Sequence, residues 1–597
     1  MSSASIPGLV PAPVSMQAGE GGVVLRAGAR VDADPALRPA ARWWRRVTED
    51  AFGLDLVPVA DGGAGSRRPA EVTFAHGAGL PDGGFRLVVR PGGRDGAPGR
   101  ATAVGQGEVR VEAADLAGAH AAAQALRQLA GPAAYRSAGG QGDLTLPAVT
   151  VEDHPRFAWR GVLLDVARHF LPKADVLRFV DLAAAHRLNV LQLHLTDDQG
   201  WRVEIERYPR LTEVGGWRAS STVGTWRTGS SDGRPHGGWY TQADLREIVA
   251  YARERGVTVV PEIDVPGHVE AAIAAYPFLG TRKDPHAVRT TWGISEDVLD
   301  PSDEALAFVR GVLDEVDDVF GSPWVAIGGD EVPTTRWRET PSIVARAAEL
   351  GLVDPAGEPD VAQLHGWFVA RLAEHVTGLG RRAVVWDEAF GPQLPRDVVV
   401  TSWRGYAQGA AALAAGHDVV MAPEQAVYLD HRAGEHPGEP IPVGFVRTIE
   451  DVYGFDPLPP ALRAEVEAAP TGGRLLGAQA QVWTEHLDSV RRVDFATFPR
   501  LAAFAETVWS PAADRAPGSE ASREFLARLE QHHLPRLDAS GVEYRPLAGP
   551  RPWQTRPGVQ GYPRDLAAET AEGGWAGLGG WREAGGAEND ATAGEAR

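Results

Sequence analysis

The chain has 597 residues, with 59 Lys and Arg against 79 Asp and Glu for a formal charge of −20, and it contains no cysteine. The acidic balance argues against a nucleic-acid partner, which needs an extended basic surface, and the lack of cysteine excludes disulfides, thiolate catalysis and zinc–thiolate sites. No apolar stretch reaches the roughly 20 residues that span a bilayer, and the first residues lack the basic and apolar regions of a secretory signal. The expectation is an acidic, multidomain globular protein in the cytoplasm with no membrane partner.

Residues 1–150 read as a smaller α+β domain. The runs Glu71–Ala75, Phe85–Val89 and Glu108–Ala113 have the length and alternation of strands, and the Ala-rich Leu116–Leu129 reads as a helix. No cluster of polar groups marks a site there, so the reading is an accessory domain. Between residues 151 and 512 the pattern changes. Apolar strand-like runs recur at Gly161–Arg168, Asn189–Asp198, Val257–His268, Trp324–Glu331, Ala383–Ala389, Val398–Trp403, Asp418–Asp430 and Leu475–Glu485. Helical stretches interleave with them at Lys173–Arg187, Gln242–Arg255, Ser302–Phe320, Val361–Leu379 and Phe495–Trp509. That alternation predicts an α/β fold, a (β/α)8 TIM barrel whose parallel strands are buried on both faces. The C-terminal extension, 513–597, offers one more helix over Ser522–Arg536. Its last roughly twenty residues, rich in Gly, Ala and Glu, are predicted to be disordered because they bury too little apolar surface to offset chain entropy.

The C-terminal strand ends of a TIM barrel form its active face. Here those ends carry Arg168, Asp197 and Asp198, His268, Asp330 and Glu331, Trp386 and Asp387, Trp403, Tyr428 and Asp430, and Trp483 and Glu485. Aromatics beside carboxylates suit a sugar, whose apolar ring face stacks on indole while its hydroxyls meet charged groups. Any single tryptophan among the 18 is more simply core packing, and strand-end carboxylates often cap the next helix. Convergence of all the strand ends favours catalysis. Gly328–Glu331, GGDE, is the sharpest local feature, its glycines permitting close approach to the backbone. Adjacent strand residues point to opposite sides, so Asp330 and Glu331 are expected to divide labour on one sugar rather than straddle one bond. A retaining glycosidase needs a second carboxyl about 5–5.5 Å away as nucleophile. Adjacency does not supply it, which points to a nucleophile on the substrate. His169 and His194 read as structural, satisfied by backbone partners, and no ligand spacing suggests a metal or a cofactor.

The strings LDVARHF (Leu164–Phe170), LHLTDDQGWR (Leu193–Arg202), PEIDVPGH (Pro261–His268), IGGDE, VVWDE and W-x-E (Trp483–Glu485) follow in order. They resemble the family 20 glycoside hydrolases, the β-N-acetylhexosaminidases, over roughly Val151–Trp509. The first domain resembles, more weakly, the α+β domain that commonly precedes that barrel. The resemblance implies exo-acting, retaining, substrate-assisted hydrolysis of glycans ending in N-acetylglucosamine or N-acetylgalactosamine. Glu331 would be the general acid and then the base, and Asp330 would orient the acetamido group and balance its charge. Arg168 would clamp the C3 and C4 hydroxyls, Asp430 and Glu485 the distal hydroxyls, and Tyr428 the acetamido oxygen. Trp386, Trp403 and Trp483 would wall the acetamido pocket, while Asp197 and His268 support Glu331. Two other readings stand beside it: a two-carboxylate glycosidase with Glu485 as nucleophile, and a non-catalytic sugar-binding barrel.

Overall fold

The computed structural model describes residues 8–59, 70–92, 107–140, 142–225, 229–441, 443–468 and 472–571. In the first domain, strands such as Phe85–Arg90 bury every second residue, the signature of a sheet with one face on a core. The seven-stranded sheet runs Ser15–Leu25, Leu144–Asp153, Phe85–Arg90, Glu108–Ala113, Val72–His76, Arg30–Ala33 and Val57–Pro58 from edge to edge. Helices Arg38–Phe52 and Leu116–Leu129 pack on each other and on this sheet. Ser15–Leu25 escapes a pattern search because its register shifts between Ala18 and Gly22, which breaks the alternation. Leu144–Asp153 carries the sheet past residue 150.

The parallel strands β1 (Trp159–Asp165), β2 (Val190–His194), β3 (Thr258–Glu262), β4 (Trp324–Ala326), β5 (Arg382–Trp386), β6 (Val399–Ser402), β7 (Val419–Met421) and β8 (Leu475–Val482) close into a barrel in sequence order. Register from Gly477↔Trp159 to Val482↔Leu164 seals β8 to β1. The fold is therefore the expected TIM barrel behind an α+β domain. Local sequence explains the helices around it. Gln242–Arg253 starts on a capping box of Thr241 and Asp244, and Asp303–Phe320 starts on the Ser302 hydroxyl and stops at left-handed Gly321. The helix expected over Phe495–Trp509 is broken into Val490–Thr497 and Arg500–Trp509; Pro499 has no N–H to continue it. The later helix is interrupted by a π turn, Leu529–His533, just before Pro535.

The barrel interior is layered. Trp159, Val190, Val260, Ala326, Val384, Val399 and Val420 form an apolar ring. Above it Trp159 Nε1 donates to Gln479 Oε1 at 3.2 Å, Gln479 Nε2 to Gln192 Oε1 at 3.0 Å, and Gln192 Nε2 to Glu262 Oε2 at 3.0 Å. That ladder brings the packing up to the C-terminal rim. The expected disorder of the tail lies outside the described residues, but the extension before it is built into the rim: Tyr562–Pro563 pairs in parallel with Val443–Gly444. Among the described residues no helix is long and apolar enough to cross a membrane.

Candidate active site

Beyond Ala326, where β4 ends, the chain turns through Gly328 (φ 65°), Gly329 (φ 92°) and Glu331 (φ 49°), and His268 beyond β3 has φ 54°. A non-glycine residue in this left-handed region costs about 1–3 kcal/mol and persists where surrounding structure enforces it. A Cβ on Gly328 would overlap the Asp264 carboxyl, whose Oδ1 accepts the Gly329 N–H at 3.2 Å. The turn overrides the alternation expected of a strand. Instead of pointing apart, Asp330 Oδ2 and Glu331 Oε2 both face His268 Nε2, at 3.5 and 3.6 Å.

The charges behind these two acids form one buried network. His268 Nδ1 lies 3.3 Å from Asp197 Oδ1, and Arg168 Nη2 lies 2.8 Å from Asp197 Oδ2. Burial opposes the charge on each group, and their mutual attraction overcomes it. His268 is held well above the usual histidine range by Asp197 and then Asp330, and Asp197 well below the usual carboxylate range by Arg168 and then His268. Asp264 and Asp330 are shifted in opposite directions. Burial and the Asp330 charge push Asp264 well up, while His268 holds Asp330 down against its own burial. The surroundings thus favour the anion at Asp330 and the neutral form at Asp264.

Asp197 is 1% exposed and lies beneath the cleft rather than on its wall, so it reaches a substrate only through Arg168 and His268. His169 has the backbone partner expected, Thr484 O at 2.5 Å from Nδ1. His194 does not. It is clamped between carboxylates, with Nδ1 at 2.8 Å from Glu262 and Nε2 at 2.7 Å from Asp197, because β3 brings Glu262 beside it in register.

Arg168, His268, Asp330, Glu331, Trp386, Trp403, Tyr428, Asp430, Trp483 and Glu485 together line one cleft of about 930 Å3, its open mouth included. Trp403 and Tyr428 stack at 6.3 Å and 18°, and Trp483 stands 6.1 Å from Trp386 and 6.3 Å from Tyr428, making an aromatic box. Polar bonds fix its walls: Trp386 Nε1 donates to Glu262 at 2.9 Å and Trp403 Nε1 to Glu388 at 2.8 Å. Arg168 lies over the Trp483 ring, 4.9 Å from its centroid. Burial, and then neighbouring Glu485, raises Asp430; burial likewise raises Glu485 although Arg168 opposes it. Asp330 Oδ1, Asp430 Oδ1 and Arg168 Nε are buried with no hydrogen bond among the described residues.

Sequence reasoning missed Trp292, Glu424, Tyr562 and Arg564, which also line the cleft. Glu424 follows Pro423 just past β7 and was readable from its place; Tyr562 and Arg564 lie far along the chain and carried no local signal. Among the described residues, three groups come close enough to hold a cation: His194, Glu262 and Asp264; Asp197, Asp198 and His268; and Asp264, His268 and Asp330. The Arg168 guanidinium sits against Asp197 and His268 lies between Asp197 and Asp330, so these groups fit an internal charge network rather than a metal.

The sequence matches glycosyl hydrolase family 20, catalytic domain, over residues 157–512, and glycosyl hydrolase family 20, domain 2, over residues 6–154. It is 38% identical over 403 residues to a beta-hexosaminidase of Porphyromonas gingivalis, an overlap of 67% of this chain and 48% of that protein. To a beta-hexosaminidase of Vibrio furnissii it is 37% identical over 403 residues, 66% of this chain and 63% of the other. The chain therefore spans less than two thirds of either relative. Among solved structures, the GH20 exo beta-N-acetylglucosaminidase from Vibrio harveyi in complex with N-acetylglucosamine superposes with a TM-score of 0.72 at 28% identity, covering 90% of this chain and 78% of that one. The aromatic box and the paired acids of the cleft thus stand in a chain that belongs to glycosyl hydrolase family 20.

Proposed function

We propose that the protein is an exo-acting, retaining β-N-acetylhexosaminidase. It removes terminal β-linked N-acetylglucosamine or N-acetylgalactosamine with the substrate's own acetamido group as nucleophile. One observation carries this reading: the carboxyls of Asp330 and its neighbour Glu331 converge on His268 at the edge of an aromatic box. In the first step the acetamido oxygen attacks C1 as the bond from C1 to the leaving oxygen breaks. Glu331 donates its proton to that oxygen, and Asp330 accepts the acetamido N–H and balances the positive charge of the oxazolinium ring. Glu331 then takes a proton from water, which opens the ring at C1 and restores the original anomer. Trp386, Trp403, Tyr428 and Trp483 enclose the acetamido group and exclude water from it. Arg168, Asp430 and Glu485 hold the remaining hydroxyls, offering a fork-shaped donor and two acids.

A two-carboxylate route through Glu485 is less suited to this geometry. Burial raises Glu485 although Arg168 opposes it, and a carboxyl that ionises less readily is a poorer nucleophile. The test is turnover of an aryl β-N-acetylglucosaminide beside the matched aryl β-glucoside, which lacks the acetamido group. Cleavage of the first with an inert second is expected. Comparable turnover of both would overturn the substrate-assisted reading, and turnover of neither would overturn the hydrolase reading itself.

A further inference from the structure

The C-terminal extension lies across the barrel mouth as a strap. Arg556 Nη1 pairs with Asp488 at 2.8 Å in the loop after β8. Gln560 O accepts the Thr225 N–H at 3.1 Å, an approach so close that a Cβ on neighbouring Gly224 (φ 87°) would meet Gln560 O at 2.7 Å. Tyr562–Pro563 then pairs with Val443–Gly444. Arg564, with its N–H bonded to Gly444 O at 2.9 Å, places its side chain over the Phe445 ring, 4.2 Å from the centroid. Its guanidinium takes Glu424 at 2.6 Å and both oxygens of Glu569 at 2.6 and 2.8 Å. With 12% and 4% of their side chains exposed, Arg564 and Glu424 form a desolvated pair, not a loose surface contact.

The position of this strap relative to the acid gives it a function. The strands close in sequence order, so β3 and β4, which carry His268, Asp330 and Glu331, stand half a turn from β7 and β8. Tyr562 and Arg564 line the cleft on the β7–β8 side: Tyr562 packs 5.7 Å from the ring of His486, next to Glu485, and Arg564 bonds Glu424, at the start of the short helix Glu424–Val427 that leads to Tyr428 and Asp430. Trp292 adds to the same wall, 6.2 Å from His486. A general acid must sit beside the oxygen it protonates, so the leaving group departs past Glu331 and the sugar's other end faces the strap.

We infer that the strap formed by residues 552–571 is the specificity element that closes the non-reducing end of the cleft, so that a glycan cannot continue past the sugar being cleaved. The inference rests on the proposed hexosaminidase reading and explains its exo character by a particular piece of chain. Tyr562 and Arg564 work by exclusion, which is often how discrimination is built.

The test uses two aryl β-glycosides, one of N-acetylglucosamine and one of N-acetyllactosamine, whose terminal galactose has no acetamido group and caps the reacting sugar. The parent chain should release aryl alcohol from the first alone. The double variant Tyr562→Ala with Arg564→Ala should release it from the capped glycoside at least about tenfold faster than the parent. Arg556→Ala, which removes the tie to Asp488 without changing a residue that lines the cleft, should show the same trend in case the double variant folds poorly. Calorimetric binding of free N-acetyllactosamine, expected only for the variants, reads the opening without turnover. Variants that still cleave the simple glycoside but neither bind nor cleave the capped sugar would overturn the inference, as would a parent that cleaves both. A parent inert to the simple glycoside would instead overturn the reading on which it rests.

Discussion

Asp418 at the N-terminal end of the barrel strands and the carboxylates at their C-terminal end differ in how fully neighbouring groups complete them. At the N-terminal end, Asp418, just ahead of β7, meets Arg382 at 2.9 Å and Arg474 at 2.7 Å. Burial opposes its charge, but the bonds from Arg474 and then Arg382 bring it down to about 2. At the C-terminal end, burial pushes Asp430, Glu485 and Glu388 up. The floor charges are completed by partners within the chain. The rim charges are not: Asp330, Asp430 and Arg168 each keep a buried polar atom without a hydrogen bond among the described residues. Such an atom costs about 1–3 kcal/mol, and left-handed His268 and Glu331 add backbone strain at the same end. Polar burial that stabilises the floor is held in reserve at the rim for a substrate.

That contrast can be broken from either end. The largest effect belongs to the rim. Glu331→Gln should lower turnover of substrates with basic leaving groups about 10²–10⁴-fold, and less for activated aryl groups, which depart without a proton. Steady-state kinetics on the two classes checks this, and equal losses would remove Glu331 as the acid. Next, Arg168→Lys should lower kcat/KM at least about tenfold because an ammonium cannot reproduce a two-pronged donor. The matching change at the floor, Arg474→Lys, should leave kcat/KM within about twofold. Parallel losses in both variants would mean the two ends do not differ in kind.

The smallest effect is on stability. Asp418→Asn should cost about 1 kcal/mol at pH 7 once solvent screening is allowed for, read as a lower urea midpoint. The sign follows from the depressed value of about 2: the carboxylate's contribution is complete above the ordinary aspartate range and disappears as pH falls through the folded value. The gap between parent and variant should therefore narrow from pH 4 toward pH 2. A gap independent of pH would assign the loss to packing.

The barrel and most of its cleft were legible because each buried strand is a continuous apolar run that ends abruptly in polar or aromatic residues. Arg168, His268, Trp386, Trp403 and Glu485 could be picked out from those ends. The orientation of Asp330 and Glu331 could not. It depends on β4 stopping at Ala326 and on a left-handed turn packed against Asp264, a contact made with the end of the neighbouring strand β3. The carboxylate partners of His194 were hidden for a similar reason, since strand register alone brings Glu262 to it. In the first domain, the register shift in Ser15–Leu25 removed the periodicity that would have marked it as a strand. Tyr562 and Arg564 had no periodic context, and their place in the cleft comes from pairing with a loop more than a hundred residues earlier.

The central claim is that the acetamido group attacks C1 while Asp330 holds it. The most direct measurement is the Kd of a thiazoline mimic of the bicyclic intermediate, taken beside that of free N-acetylglucosamine on the parent and on Asp330→Asn. An intermediate-shaped ligand should bind the parent at least about 100-fold more tightly than the free sugar, and Asp330→Asn should lose most of that advantage. A thiazoline that binds no better than the sugar, together with a glycosyl ester trapped on Glu485, would contradict the account.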